Sequence, residues 1–256
     1  MPKVTNEFSR YTKADATYKH RIVAASFGEV GTGKTEFWLG APGPIVVQSL
    51  DQGLEGVVQK YANDKEIYLA EYDLGITPGD PFTHEKAKDA RNKFVEDFEH
   101  ALTVARTIVW DRESDMWPLF SYAEFGTPEM FGAAGGRDWE KLKGDIRRLI
   151  AMAKASDVNF GIIQGMKNEW APTISRKTGK KTAESTGQRI RSGMDDIDAL
   201  VHINIEHTRV NGQFGITVGK SRGPGSRDVQ DQSFTDVDFI TLAQMIFPDS
   251  DESDWV

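Results

Sequence analysis

The sequence predicts an α/β fold: a mostly parallel β-sheet flanked by helices, with an antiparallel hairpin toward the C-terminal end. Three observations carry that prediction. Short apolar runs of strand length alternate with segments of helical periodicity, the order that builds a parallel sheet covered on both faces. A glycine-rich turn separates the first such run from the first helix. Asn211-Gly212 divides two late runs and is the strongest short-range signal for a two-residue hairpin turn.

Taken in order, RIVAASF (21–27) reads as a buried strand, followed by the glycine loop and a short helix from about Lys34 to Leu39 that Gly40 and Pro42 terminate. PIVVQSL (44–50) is the second strand. Over 84–106, Phe94, Phe98, Leu102 and Ala105 recur at three- and four-residue spacings, so an amphipathic helix runs into the strand TIVW (107–110). An aromatic-rich insertion follows. Asp138 is placed as the N-cap of a helix that aligns Leu142, Ile146, Leu149 and Ala153, and NFGIIQ (159–164) is the next strand. Beyond a polar, basic stretch lie ALVHINIEHTRV and QFGITVGKSR on either side of the hairpin turn, then a last amphipathic helix carrying Phe239, Leu242, Ala243 and Ile246. No fixed-period repeat and no long linker interrupts this order. A single domain over 1–248 is therefore expected, with 1–20 as an N-terminal arm, 167–193 as a mobile basic loop and 249–256 as an acidic, disordered tail.

Composition narrows the function. The 256 residues contain no cysteine, which excludes disulfides, thiolate zinc sites and cysteine nucleophiles. No apolar run reaches the roughly 18 residues needed to span a bilayer, and the first twenty residues lack a secretory apolar core, so a cytoplasmic protein without membrane contact is expected. A net charge of -8 argues against a protein that coats nucleic acid over its whole surface, while leaving room for a local basic patch.

The chemistry lies first in Gly28-Glu29-Val30-Gly31-Thr32-Gly33-Lys34-Thr35, which fits G-x-x-x-x-G-K-[ST]. Glycines let successive backbone N–H groups converge on phosphate oxygens, Lys34 reaches the β- and γ-phosphates, and Thr35 offers a hydroxyl to Mg2+. An apolar strand before the loop and a helix start after it are the context this chemistry requires, so ATP with Mg2+ is the expected ligand. The metal also needs a carboxylate at the end of a neighbouring strand, and Asp111, directly after Thr107-Ile108-Val109-Trp110, is placed for it. Hydrolysis needs a group that orients or deprotonates water. Asp51, just past the second strand, is the first candidate and Glu113 the second; either could equally be a solvated loop acid.

With those pieces in order, GEVGTGKT, GPIVVQSLDQGLEGV, TIVWD, NFGIIQGMKNE and ITVGKSRG, the chain resembles the RecA-type ATPase core. In particular it is similar to phage-encoded, RecA-like AAA ATPases of single-strand annealing and recombination, across residues 21–223. The resemblance implies a RecA-like P-loop NTPase core assembled as a ring or filament. It implies that Asp51 activates water, where recombinases usually carry glutamate, and that Gln164 senses the γ-phosphate and opens a DNA-binding loop. It implies too that Lys220 and Arg222 reach a neighbouring subunit's nucleotide; read from the residues alone, they could instead alternate outward on a hairpin strand. Arg112 stands where the family commonly has serine.

Between Met166 and Gly193 lie Lys167, Arg176, Lys177, Lys180, Lys181, Arg189 and Arg191 against only Glu169 and Glu184, a basic island in an acidic chain. Such a stretch either binds single-stranded DNA, gaining affinity from counterion release, or is a solvated loop. Trp170 and the insertion aromatics Trp117, Phe120, Tyr122, Phe125 and Phe131 are candidate stacking surfaces, or else a satellite core or subunit interface. The histidines have no metal-ligand spacing. The acidic tail ending in Trp255-Val256 could dock on a replication partner. Two other functions begin with the same loop: a P-loop kinase, for which 176–191 would be a basic lid over a small acceptor, and a nucleotide-gated assembly protein with negligible hydrolysis.

Overall fold

Six strands run parallel because each is joined to the next by a helical or long crossover connection that returns the chain to the same end of the sheet. A computed structural model describes residues 19–50, 53–72, 82–126, 136–174 and 181–255, with main chain alone at 136–138, 173–174 and 181–182. The strands are β1 (Val23–Gly28), β2 (Ile45–Ser49), β3 (Ile67–Glu71), β4 (Thr107–Asp111), β5 (Asn159–Gln164), β6 (Met166–Ile174), β7 (Lys181–Arg191), β8 (Ile203–Val210), β9 (Gln213–Lys220) and β10 (Gln232–Thr235). The helices are α1 (Lys34–Leu39), α2 (His84–Val104), α3 (Glu113–Phe125), α4 (Gly136–Ala155), α5 (Ile197–Leu200), α6 (Ser226–Val229) and α7 (Phe239–Ile246).

The main sheet has the order β10-β9-β8-β1-β5-β4-β2-β3. Pairing is parallel from β3 through to β8, and antiparallel from β8 to β9 and β9 to β10. Asn211 and Gly212, with φ of 53° and 86°, make the tight turn between β8 and β9. The mixed α/β architecture with its terminal hairpin is therefore as the sequence predicts.

The sheet divides the core in two by its period-two alternation. On one face Phe94 and Phe98 of α2, Met116 and Phe120 of α3 and Ile146 of α4 pack on Ile108, Trp110, Phe160 and Ile162. On the other, Trp38 of α1 and Phe239 and Leu242 of α7 pack on Val109, Ile163, Ile205 and Val218. Each such side chain, fully buried, contributes about 1.5–3 kcal/mol, so both layers hold the strand ends in fixed positions.

Four expectations change. The aromatic insertion is largely α3, and its rings are core: Phe120 is buried, Trp117 stacks on Trp139 at 5.6 Å, and Tyr122 meets Phe82 at 5.6 Å. They are not an open stacking surface; Phe131 lies outside the described residues. The basic stretch is not a loop but an antiparallel ribbon of β6 and β7, a second sheet of its own. Helix α4 begins at Gly136, so Asp138 lies in its first turn rather than at the cap. The acidic tail is not simply solvated: Glu252–Trp255 forms a 3-10 turn with Trp255 fully buried beside Phe239 and Phe247.

Candidate functional site

Because β1, β4 and β5 are adjacent and parallel, their C-terminal ends bring the glycine loop, Asp111 and Gln164 to one edge of the sheet. The loop leaves β1 at Gly28 and enters α1 through Gly33, whose φ of 82° lies in the left-handed region that favours glycine. A side chain there would also meet the Phe214 ring, with its Cβ 3.0 Å away.

A cleft of about 360 Å³ opens between the loop and the ends of β4 and β5, lined among others by Lys34, Thr35, Asp111, Arg112, Asp115 and Arg189. Thr35 Oγ1 donates to Asp111 Oδ2 at 2.7 Å, joining the loop to β4. Lys34 Nζ donates to the carbonyls of Gly28 and Glu29 at 2.9 and 2.7 Å. Burial holds the Lys34 ammonium below its ordinary pKa, opposed by the charge of Asp111. Below the loop, His207 is buried, its Nε2 lies 3.1 Å from Ser26 Oγ, and burial with the nearby Lys34 charge pushes its pKa down to about 3. The imidazole is thus neutral and adds no second cation beneath Lys34.

A second cleft, of about 410 Å³, shares Gly33, Glu36 and Phe214 with the first and is lined further by Tyr61, Lys65 and Asp238. The two lie side by side along α1, giving room for an extended ligand with a charged and a less polar half. Among the described residues no group of three or more His, Asp and Glu side chains could hold a metal ion alone. Thr35 and Asp111 supply two oxygens, a set that suits Mg2+, which takes its remaining positions from phosphates and water.

Two expected site residues sit behind the cleft instead of in it. Glu113 is fully buried: Oε2 accepts from Gln164 Nε2 at 2.8 Å and Oε1 from the Met194 backbone N–H at 3.1 Å. With both oxygens engaged it has no direct path to a water in the cleft, which corrects its expected water-activating placement. Burial pushes its carboxyl up to about 7, against the opposing hydrogen bonds from Gln164 and Met194. Gln164 also donates to the Ser192 carbonyl at 3.1 Å, so it faces the base of the ribbon. Asp51 lies outside the described residues. Asp115, in the first turn of α3, is a cleft acid that the sequence does not single out, because nothing in the sequence marks the start of α3.

Lys220 and Arg222 are elsewhere. In the register, Lys220 pairs with Asn204 at the start of β8 while His207 pairs with Gly28, so Lys220 lies toward the opposite sheet edge from the loop. Its ammonium donates to the carbonyls of Asp198 and Val201. A free cation reaching out to another subunit is not what Lys220 presents; Arg222 is exposed.

The ribbon cations divide as well. Arg191 lies 3.8 Å over the Phe27 ring and pairs with Asp198, so it anchors the ribbon base and is not a surface contact. Arg189 reaches the glycine loop: its Nε and Nη2 donate to Glu29 Oε1 and Oε2 at 2.7 and 3.0 Å. Lys167 and Trp170 are exposed, the latter at 60%. Arg176, Lys177 and Lys180 lie outside the described residues, and only the main chain of Lys181 is described. Among the described residues no helix is long and apolar enough to cross a membrane. Comparison with protein-family models and with curated protein sequences found no match for this chain.

Proposed function

We propose that the protein is a P-loop NTPase with a RecA-like core that binds and hydrolyses Mg-ATP and acts on single-stranded DNA through the β6–β7 ribbon. The observation that carries the nucleotide reading is the 2.7 Å hydrogen bond between Thr35 and Asp111, which sets a Mg2+-type oxygen pair beside the Lys34 ammonium. ATP's triphosphate would lie along the loop amides with its metal against Thr35 and Asp111, and the nucleoside would extend into the neighbouring cleft past Phe214. Thr35 and Asp111 would hold the magnesium, which would supply charge neutralisation to the phosphates, and Lys34 would add to that stabilisation where charge develops during transfer. Asp115, which lines the cleft and pairs with Arg112, would order the attacking water, the role the family resemblance gives to Asp51.

The DNA reading is favoured by the ribbon: exposed Trp170 offers a face for a base and Lys167 a cation for a phosphate. The test is ATP turnover with and without single-stranded DNA, in wild type, Lys34→Ala and Asp111→Ala. Turnover stimulated by single-stranded DNA, and lowered about 10²-fold or more in both variants, is expected. Turnover stimulated only by nucleosides or nucleotides would instead identify a kinase. No turnover combined with ATP-dependent association would leave a nucleotide-gated assembly protein.

A further inference from the structure

Glu29 is an acid inside a loop whose amides and lysine suit an anion, a placement that opposes phosphate binding unless its charge is met. Arg189 meets it, and the same guanidinium donates to Asn168 Oδ1 at 2.8 Å and to the Met166 carbonyl at 3.0 Å. One side chain therefore ties the glycine loop to both strands of the ribbon, next to the register irregularity between Asn168 and Trp170. The pair is half exposed, with side-chain exposures of 43% and 52%, so solvent screens it and its hold is weak. Arg189 also lines the same cleft as Lys34 and Thr35. Lys34, the residue that meets β- and γ-phosphates in loops of this pattern, rests on the Gly28 and Glu29 carbonyls, which puts Glu29 at the terminal-phosphate end.

Resting on the ATPase reading above, we infer that Arg189 has two competing anionic partners, the Glu29 carboxylate and the terminal phosphate of a bound nucleoside triphosphate, and that exchange between them is how the ribbon responds to the γ-phosphate. A terminal phosphate accepts the planar guanidinium in two parallel hydrogen bonds as Glu29 does and carries more charge than one carboxylate, so it displaces Glu29. A diphosphate leaves the terminal position without an anion, and Arg189 stays on Glu29. The exchange pulls on Asn168 and Met166, while Arg191 on Phe27 and the Ser192 N–H on the Gly165 carbonyl hold the ribbon base. The ribbon beyond Asn168 then shifts on a fixed root.

The experiment is calorimetric binding of Mg2+ with a non-hydrolysable ATP analogue and, separately, of Mg-ADP, to wild type, Arg189→Gln, Glu29→Gln and Lys34→Ala. Arg189→Gln should weaken the analogue about tenfold and change ADP less than about twofold, because the contact is made to the γ-phosphate. Glu29→Gln should tighten the analogue about threefold and leave ADP unchanged, since the competitor is gone. Lys34→Ala should weaken both nucleotides. Equal weakening of analogue and ADP by Arg189→Gln, or weaker analogue binding in Glu29→Gln, would mean a brace for the loop and would overturn the inference alone. No nucleotide binding by the wild-type chain would overturn the ATPase reading and the inference together.

Discussion

Glu113 accepts a 2.8 Å hydrogen bond from Gln164 with neither side chain exposed to solvent, joining the start of α3 to the end of β5 directly behind the cleft. Burial raises the Glu113 carboxyl from 4.5 to about 7, so the folded protein holds a proton there that the unfolded chain has released. The contribution to stability is full below the unfolded value of 4.5 and is lost as pH rises through the folded value of about 7. Stability should therefore fall with pH across that window, by at most about 1.4 kcal/mol per unit from this group. Urea melts at a series of pH values should show the slope in wild type and a flatter profile in Glu113→Gln; identical slopes would remove Glu113 as its source.

Gly193 is bound to the same pair. Its φ is 99°, and a Cβ placed on it would sit 1.9 Å from Glu113 Oε2 and 2.9 Å from Gln164 Nε2. Gly193→Ala must therefore move both side chains as well as adopt a strained backbone, at a cost of about 3 kcal/mol. Chemical denaturation should report that loss. A change below about 0.5 kcal/mol would show that the Glu113 pocket yields freely.

Binding to the folded form alone makes stability depend on ligand. If the chain binds Mg-ATP as proposed, a concentration about 100 times the Kd should add about 2.7 kcal/mol, a rise of roughly 5–10 °C in Tm for a domain of this size. Chelating the metal should return most of the shift, and Asp111→Ala should show little of it because the Thr35–Asp111 oxygen pair is broken. Equal shifts with and without metal would separate Asp111 from metal binding.

How much of this was legible follows from what each segment buries. Strands β1, β2, β4 and β5 are largely buried on both faces and read as short, mostly apolar runs, and Asn211-Gly212 marks the hairpin. Helix α3 was hidden because apolar residues surround it and Pro118 interrupts it, leaving no amphipathic stripe. Ribbon β6–β7 was hidden because it buries almost nothing, so no alternation is written into its residues. At the cleft, Lys34, Thr35 and Asp111 are residues that the motif and the strand end single out, and the fold brings them together. Arg189 is named from sequence only as one cation of the basic island; its place at the glycine loop is not, since Glu29 is 160 positions away and only the fold brings them together.

Trp255 illustrates the same limit in the tail. Acidic neighbours suggested solvation, yet the ring packs on Phe239 and Phe247, and its Nε1 donates to Ser250 Oγ at 2.9 Å. Trp255→Ala should cost about 3–5 kcal/mol, read as a lower Tm, while nucleotide affinity in the folded protein stays unchanged. A loss under about 1 kcal/mol would restore the picture of a solvated tail.

Trp170 is the opposite case, a large ring 60% exposed on the ribbon and open to a partner. If that partner is single-stranded DNA, Trp170→Ala should weaken binding about tenfold by removing one stacked base, with stability changed by less than about 0.5 kcal/mol. Lys167→Ala should lower affinity without regard to sequence and reduce the salt slope by about 0.7, the value for one phosphate contact on a single strand. Arg191→Gln should act differently, lowering stability because its guanidinium is stacked on Phe27 and paired with Asp198. Anisotropy across a salt series, with denaturation of each variant, separates the two behaviours; DNA affinity indifferent to Trp170 and Lys167 would take the ribbon out of the binding surface.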